Sequence, residues 1–174
     1  MKLEHTDIID APLETVYSIV RDELSKVAEY LPNIREIKVL SSQEKSGKLH
    51  VVNQWFAEAN VPSLVKKFIR EELFSWKDTA EWDNKNHKVN YQLESFFAKD
   101  IYEAKGTNYF KAKDDKTVLT LTCEINIYPE KIPGIPRLLA GKIRPVVEQM
   151  IEKMLAPNLT SLGEGIRNYL KAQS

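Results

Sequence analysis

The chain has 174 residues, 43% of them hydrophobic and 29% charged, which is typical of a globular protein and fits one domain spanning 1–174. Lysine plus arginine and aspartate plus glutamate each number 25, so the basic excess typical of nucleic-acid-binding proteins is missing. The one cysteine, Cys123, excludes an intramolecular disulfide.

The first third of the chain predicts a strand followed by two short helices. Residues 3–9 have the composition of a short strand. After Asp10, an N-cap candidate, apolar residues recur at helical spacing as far as Val20. A second short helix extends to Leu31, and Pro32 ends it.

The middle of the chain predicts a series of antiparallel strands. Alternation typical of strands occupies six stretches, which are residues 33–41, 49–57, 74–82, 87–94, 102–111 and 117–128. The last of them is the clearest, because every second residue from Leu119 to Ile127 is apolar. Residues 60–70 interrupt this rhythm with apolar residues at helical spacing, which indicates an amphipathic helix or an ordered loop.

The C-terminal stretch, residues 133–170, predicts a long helix with one apolar face. At ~1.5 Å per residue it would be ~55 Å long, so it must be interrupted or must cross a broad surface. Pro145 and Pro157 each remove a helical N–H, and we therefore expect a kink or break near each.

Strands that are segregated from helices indicate an α+β fold rather than a doubly wound sheet. The element order predicts a curved antiparallel sheet wrapped around a long C-terminal helix, with two short helices after the first strand. A cavity between such layers is the usual place for a small ligand.

The segment from Ile9 to Tyr17, with its Ala-Pro pair and following acidic residue, resembles the opening of START-like (SRPBCC, or helix-grip) proteins. The Leu31-Pro32 pair before the second strand is also similar to this superfamily. The resemblance covers the whole chain as an architecture, but as a residue motif only about the first forty positions. It implies an apolar ligand cavity, as in lipid-transfer domains and polyketide cyclases, and it implies no reaction.

No motif for metal binding or nucleophilic catalysis is present in the sequence. His5, His50 and His87 lack the spacing of metal ligands, and Cys123 has no cysteine partner. There is neither a Gly-x-Ser-x-Gly motif nor a glycine-rich phosphate loop. We therefore predict no metal and no cofactor.

Three polar residues lie in register with apolar strand faces: Asn53, Asp78 and Asn108. If these faces point into the cavity, each polar group needs a partner, because an unpaired buried group costs ~1–3 kcal/mol. Desolvation would also raise the pKa of Asp78 toward that of a general acid. The alternatives are that these residues face outward near strand ends or satisfy one another. Asp78 and Tyr91 are the weak catalytic candidates.

The candidate ligand-binding residues combine those polar groups with apolar residues of the strands and of the last helix. The apolar members are also compatible with plain core packing. The full set is Asn53, Trp55, Trp76, Tyr91, Leu93, Asn108, Phe110, Leu121, Cys123, Met150 and Met154.

Two apolar segments with basic residues, 61–70 and 132–139, could contact a membrane surface peripherally, or could simply cover the sheet ends. The N-terminus has no apolar signal core, and no apolar run approaches the ~18 residues of a membrane span. We therefore predict a cytoplasmic protein without a membrane span and without a nucleic-acid partner.

The primary functional hypothesis is the binding or carrying of a hydrophobic small molecule, such as a lipid, isoprenoid or polyketide-like compound. The alternative is an enzyme of the cyclase or dehydratase kind, which uses an acid–base residue in the same cavity. A third hypothesis is a module that binds another protein through the exposed apolar segments. An isolated, desolvated acid beside the cavity would favour the enzyme, and purely apolar walls would favour the carrier.

Overall fold

The computed structural model describes residues 1–58, 61–64, 66–68, 74–96 and 100–174, without the side chains at 151, 154, 155 and 158. Its strands agree closely with the stretches predicted from alternation. They are β1 (Lys2–Ile9), β2 (Ile34–Lys45), β3 (Lys48–Ala57), β4 (Ser75–Asp83), β5 (Lys88–Ser95), β6 (Tyr102–Lys113) and β7 (Lys116–Ile127).

These strands form one antiparallel sheet in the order β1-β7-β6-β5-β4-β3-β2. The sheet is curved and does not close, so β1 and β2 are its edges. Sequential strands from β2 to β7 pair as neighbours, while β1 crosses over to pair with β7. This confirms the predicted α+β architecture and places the first and last strands side by side.

Two short helices, α1 (Leu13–Asp22) and α2 (Leu24–Val27), follow β1 as predicted, and a 3₁₀ turn at Ala28–Tyr30 extends the second. The predicted N-cap is wrong, because Pro12 occupies that position and no side chain caps the helix. Asp10 instead forms an ion pair with Lys116, at 3.4 Å between Oδ1 and Nζ.

The last helix, α3 (Arg137–Gln173), has 37 residues and begins later than predicted. Gly134, with a φ of 87°, and the extended Pro136 lead into it. The helix continues through both Pro145 and Pro157, so the predicted breaks are wrong. A bend at either proline stays a prediction. No helix among the described residues is long and apolar enough to cross a membrane.

The helices cover one face of the sheet, called here the inner face, and the core consists of two clusters. The first cluster lies under α1, α2 and the C-terminal part of α3, which contributes Leu162, Ile166 and Tyr169. The second cluster lies between one end of β6 and β7 and the N-terminal part of α3, which includes Ile143 and Val147. One continuous helix therefore closes both clusters.

Candidate functional site

A cavity of about 120 Å³ lies between the inner face of the sheet and the helices. Strands β3 to β7 supply its floor. On the opposite side, α1 contributes Val20, α2 contributes Leu24, and α3 contributes Leu159 and Leu162. The lining is mostly aliphatic and aromatic, which is the usual character of a small-molecule site.

The sizes of the inner-face residues on β4 explain why there is space here. Trp76, Asp78, Ala80 and Trp82 all point to the inner face, so two smaller side chains lie between two indoles. The Trp76 ring stacks on that of Trp55, with centroids 5.8 Å apart and an interplanar angle of 14°. The paired indoles form one end of the cavity, and the small side chain of Ala80 leaves space beside them.

Asp78 lies on the same face of β4 and is only 7% exposed. Its Oδ2 atom accepts hydrogen bonds from Trp55 Nε1 at 3.2 Å and from Asn53 Nδ2 at 3.4 Å. Its Oδ1 atom is buried and has no partner among the described residues. The carboxyl group is therefore half satisfied by the protein, and its second oxygen is unpartnered in a residue that lines the cavity.

Burial raises the pKa of Asp78 from its ordinary value of 3.8 to about 6, although the hydrogen bonds from Trp55 and Asn53 oppose this shift. Desolvation disfavours the carboxylate because water no longer solvates its charge. Near neutral pH the group is thus mainly ionised, yet close enough to its pKa to exchange a proton. The raised pKa agrees with the expectation for a desolvated Asp78, and a catalytic role stays a prediction.

Tyr91, the second catalytic candidate, lies across Gly106 on the neighbouring strand. Its hydroxyl donates to the Thr122 carbonyl oxygen at 2.7 Å. The β6–β7 pairing omits Gly106 and Thr107, and the Thr122 hydroxyl bonds both the N–H and the carbonyl of Thr107 instead. Burial raises the pKa of Tyr91 well above its ordinary value. The Tyr91 hydroxyl proton is thus already engaged in a hydrogen bond where the β6–β7 pairing is interrupted. A catalytic role for Tyr91 stays a prediction.

Asn108 provides a second unpartnered acceptor at the other end of the cavity. Its Oδ1 atom is buried without a hydrogen-bond partner among the described residues. Asn108 pairs with Val89 on β5, whereas Asp78 pairs with Leu93 on the same strand. Four residue steps separate these positions, or ~13 Å at ~3.3 Å per step. The two acceptors therefore flank an apolar middle.

Most of the candidate ligand-binding residues line this one cavity. The register of the sheet brings them together from five strands, although they are spread over 70 sequence positions from 53 to 123. Their role in binding stays a prediction. They are Asn53, Trp55, Trp76, Tyr91, Leu93, Asn108, Leu121 and Cys123, together with the acid–base candidate Asp78.

Phe110 and Met150 do not line the cavity, in contrast to our expectation. Phe110 is 2% exposed and packs edge-on against Tyr17 of α1, with ring centroids 5.2 Å apart. Met150 belongs to the second core cluster, because the N-terminal part of α3 covers the other end of β6 and β7. Met154 lies in α3, but its side chain is outside the described part of the structure.

The candidate set did not include all residues that line the cavity. Trp82 and Ala80 share the face of Trp76 and could have been found by strand alternation alone. The helical residues carry no such signal, since the sequence does not show which part of α3 covers the cavity. The missed residues are Val20, Leu24, Leu31, Ala80, Trp82, Val89, Leu159 and Leu162.

The segment 132–139 gives no support to the predicted membrane contact. Ile132 and Ile135 are buried in the second core cluster, because the chain folds back beneath α3. Leu138 is 92% exposed, but a single apolar side chain is ordinary on a protein surface.

The segment 61–70 gives no support either. Val61 and Phe68 pack against the second core cluster, and Leu64 is exposed. Residues 60, 65, 69 and 70 of the predicted amphipathic helix or ordered loop lie outside the described residues, and residues 63, 64 and 66–68 form turns.

The side chains that commonly bind metal ions do not cluster in the described part of the chain. Among the described residues, no group of three or more histidine, cysteine, aspartate or glutamate side chains could hold a metal ion. Cys123 is buried, and burial raises its pKa above the ordinary value for a thiol. A buried protonated thiol is a poor nucleophile and a poor metal ligand.

A scan against known protein families matches residues 4–160 to a family described as "Protein of unknown function (DUF2505)". The match covers most of the chain. The chain belongs to this family. A comparison with curated proteins finds no match.

Solved structures similar to this DUF2505 member share its architecture over the whole chain. TTHA0849 from Thermus thermophilus is 21% identical, with a TM-score of 0.67 over 100% of both chains. The Zhui aromatase/cyclase from Streptomyces sp. R1128 is 17% identical, with a TM-score of 0.68 over 100% of this chain and 98% of its own. A START superfamily protein from Mycobacterium smegmatis is 14% identical, with a TM-score of 0.55 over 99% of each chain. These likenesses confirm the predicted START-like helix-grip fold.

Proposed function

We propose that this protein binds a small, mainly apolar molecule that carries at least one hydrogen-bond donor, in the cavity between the sheet and α3. The observation that carries the proposal is the unpartnered Oδ1 atom of Asp78, a residue that lines a mostly apolar cavity. A buried acceptor without a partner costs ~1–3 kcal/mol, and a bound donor would recover part of this free energy. The START-like fold supports a hydrophobic ligand in this position.

The size of the cavity favours a compact ligand over a complete membrane lipid. A cavity of ~150 Å³ in another protein binds benzene, whereas pockets for drug-sized ligands are ~300–1,000 Å³. The volume of about 120 Å³ therefore suits one aromatic or alicyclic ring, or a short isoprenoid fragment. The likeness to an aromatase/cyclase supports an aromatic or polyketide-like class of ligand.

The proposal is tested by binding of toluene and benzyl alcohol, followed by ligand-observed NMR, to the wild type and to a variant with a filled cavity. Ala80→Leu places a larger side chain in the centre of the cavity, and we expect it to abolish binding of both probes. Thr79→Leu changes the adjacent, exposed residue on the outer face and is expected to leave binding unchanged. Circular dichroism confirms that each variant is folded.

Two results would contradict the proposal. One is a folded wild-type protein that binds neither probe. The other is binding that survives Ala80→Leu, because the probes would then occupy another part of the molecule.

A second candidate function is a proton-transfer reaction of the cyclase or dehydratase kind. It is favoured by Asp78, a buried carboxyl group in the cavity with a pKa of about 6. Such an enzyme would show a pH–rate limb near 6, and Asp78→Asn would remove this limb while the neutral probes still bind. Unchanged turnover in Asp78→Asn would exclude this function for Asp78.

A further inference from the structure

The charge of the cavity can take only one sign. Among the described residues that line it there is no lysine, arginine or histidine, and Asp78 is the one carboxyl group. The other titratable groups of the lining, Tyr91 and Cys123, have pKa values raised by burial and stay neutral near pH 7. The cavity is therefore neutral or carries one negative charge, and nothing in its described lining would neutralise an anionic ligand.

The hydrogen bonds of Asp78 leave one carboxylate oxygen without a partner among the described residues. Asn53 and Trp55 both donate to Oδ2, and neither contacts Oδ1. Folding has already removed Asp78 from water. Binding of a cationic ligand therefore requires desolvation of the ligand only. Hydrogen bonds between charged groups are also stronger than neutral ones.

The aromatic rings of the lining favour the same kind of ligand. The stacked indoles of Trp55 and Trp76 adjoin Asp78, and Trp82 and Tyr91 lie further along the same face. The faces of such rings attract cations, and they also bury the apolar body of a ligand. A carboxylic acid such as a fatty acid would instead meet the like charge of Asp78.

We propose that the ligand is an apolar amine, which binds as its cation with the ammonium group donating to Asp78 Oδ1 and its hydrocarbon body against the indoles. This inference rests on the proposed function and specifies the ligand class of the same cavity. It distinguishes amines from the alcohols, hydrocarbons and carboxylic acids that would fit the same space.

Four probes that share one ring test the inference: benzylamine, benzyl alcohol, toluene and benzoate, titrated calorimetrically at pH 7.5. We expect benzylamine to bind about tenfold or more tightly than benzyl alcohol and benzoate to bind most weakly. Asp78→Asn should reduce benzylamine affinity by about tenfold or more and change benzyl alcohol affinity much less. Ala80→Leu controls for benzylamine bound at acidic sites on the surface.

The pH dependence provides a second measurement on the wild type, which decides the question even if Asp78→Asn does not fold. Benzylamine affinity should fall as the pH decreases through about 6, where Asp78 becomes protonated, while benzyl alcohol affinity stays constant. From β5 and β7 the titratable groups that line the cavity with Asp78 are Tyr91 and Cys123, which do not ionise in this range. The side chains described from β3 and the three helices at the cavity are uncharged.

The outcomes separate this inference from the proposed function. If benzyl alcohol or toluene binds as tightly as benzylamine, or if benzylamine affinity does not change around pH 6, the inference is overturned and the proposed function stands. If no probe binds the folded protein, the proposed function fails and the inference fails with it.

Discussion

The buried carboxylate of Asp78 destabilises the folded protein. Its folded pKa of about 6 lies above the ordinary value of 3.8, so the folded state binds the proton more tightly than the unfolded state. The free energy of unfolding therefore falls as the pH rises from about 4 to about 6 and is constant above that range. A group arranged in this way destabilises the molecule at neutral pH, which is common for residues that act on a ligand.

We predict that Asp78→Asn stabilises the protein at pH 7.5 by up to about 3 kcal/mol and has little effect near pH 4, because one pKa unit corresponds to ~1.4 kcal/mol. Urea denaturation at the two pH values measures the difference. Asp115→Asn, at an exposed turn position, serves as the control for the loss of one carboxyl group. An equal effect of Asp78→Asn at both pH values would show that the carboxyl group is not strained by burial.

Gly106 is a second residue whose identity is dictated by its neighbours. A Cβ atom there would lie closer than 3.0 Å to the Thr122 carbonyl oxygen and to the Tyr91 hydroxyl. We predict that Gly106→Ala costs about 2–5 kcal/mol, through overpacking and loss of the Tyr91–Thr122 hydrogen bond. Tyr91→Phe, which removes only that hydrogen bond, should cost about 1–2 kcal/mol. Thermal denaturation compares the two, and wild-type stability of Gly106→Ala would refute the close approach.

At the scale of elements, α3 is held to the sheet at both ends by charged groups. Near its start, Arg144 donates to the Ile127 carbonyl oxygen at 2.9 Å. Near its end, Arg167 binds the Asp7 carboxylate on β1, with Nη2 and Oδ2 3.1 Å apart. The Tyr169 hydroxyl donates to Glu23, next to α2. These contacts join α3 to the end of β7, to β1 and to the residue before α2.

Two glycines of α3 test this docking as a matched pair. A Cβ at Gly163 would lie closer than 3.0 Å to the Asp7 carboxylate, whereas a Cβ at Gly141 would meet no atom within 4 Å. We predict that Gly141→Ala stabilises the protein by ~1 kcal/mol through helix propensity. Gly163→Ala should instead destabilise it, because Asp7 must leave its position beside Arg167. Chemical denaturation of both variants gives the comparison, and equal stabilisation would show that β1 and α3 do not pack closely there.

At the scale of the whole molecule, one sheet and three helices line a cavity within the first core cluster. Because the cavity is small, we predict that any ligand carried by protein purified from a heterologous host is a single-ring compound or a short isoprenoid fragment. Native and denaturing mass spectra measure it, since a noncovalent ligand is lost on denaturation. The mass of a complete phospholipid would contradict the compact cavity and would require the sheet and α3 to separate.

Local patterns in the chain were sufficient to predict the strands, the element order and the polar candidates. The alternation on β7 and the isolated polar residues on apolar strand faces can be recognised without knowing what packs against the strand. A strand with one buried face has an apolar residue at every second position. The same patterns predicted Asn53, Asp78 and Asn108 as cavity residues, but not which acceptor atoms would lack a partner.

The membership and the size of the cavity depended on tertiary packing. Phe110 and Met150 are as apolar as Leu121, and they differ only in whether α1, the second cluster or empty space lies opposite. The continuity of α3 through Pro145 and Pro157 likewise could not be predicted from the local sequence. Packing against both clusters can outweigh the ~3 kcal/mol cost of an interior proline. Contacts between residues distant in the chain depend on register and docking, and a single sequence does not display these.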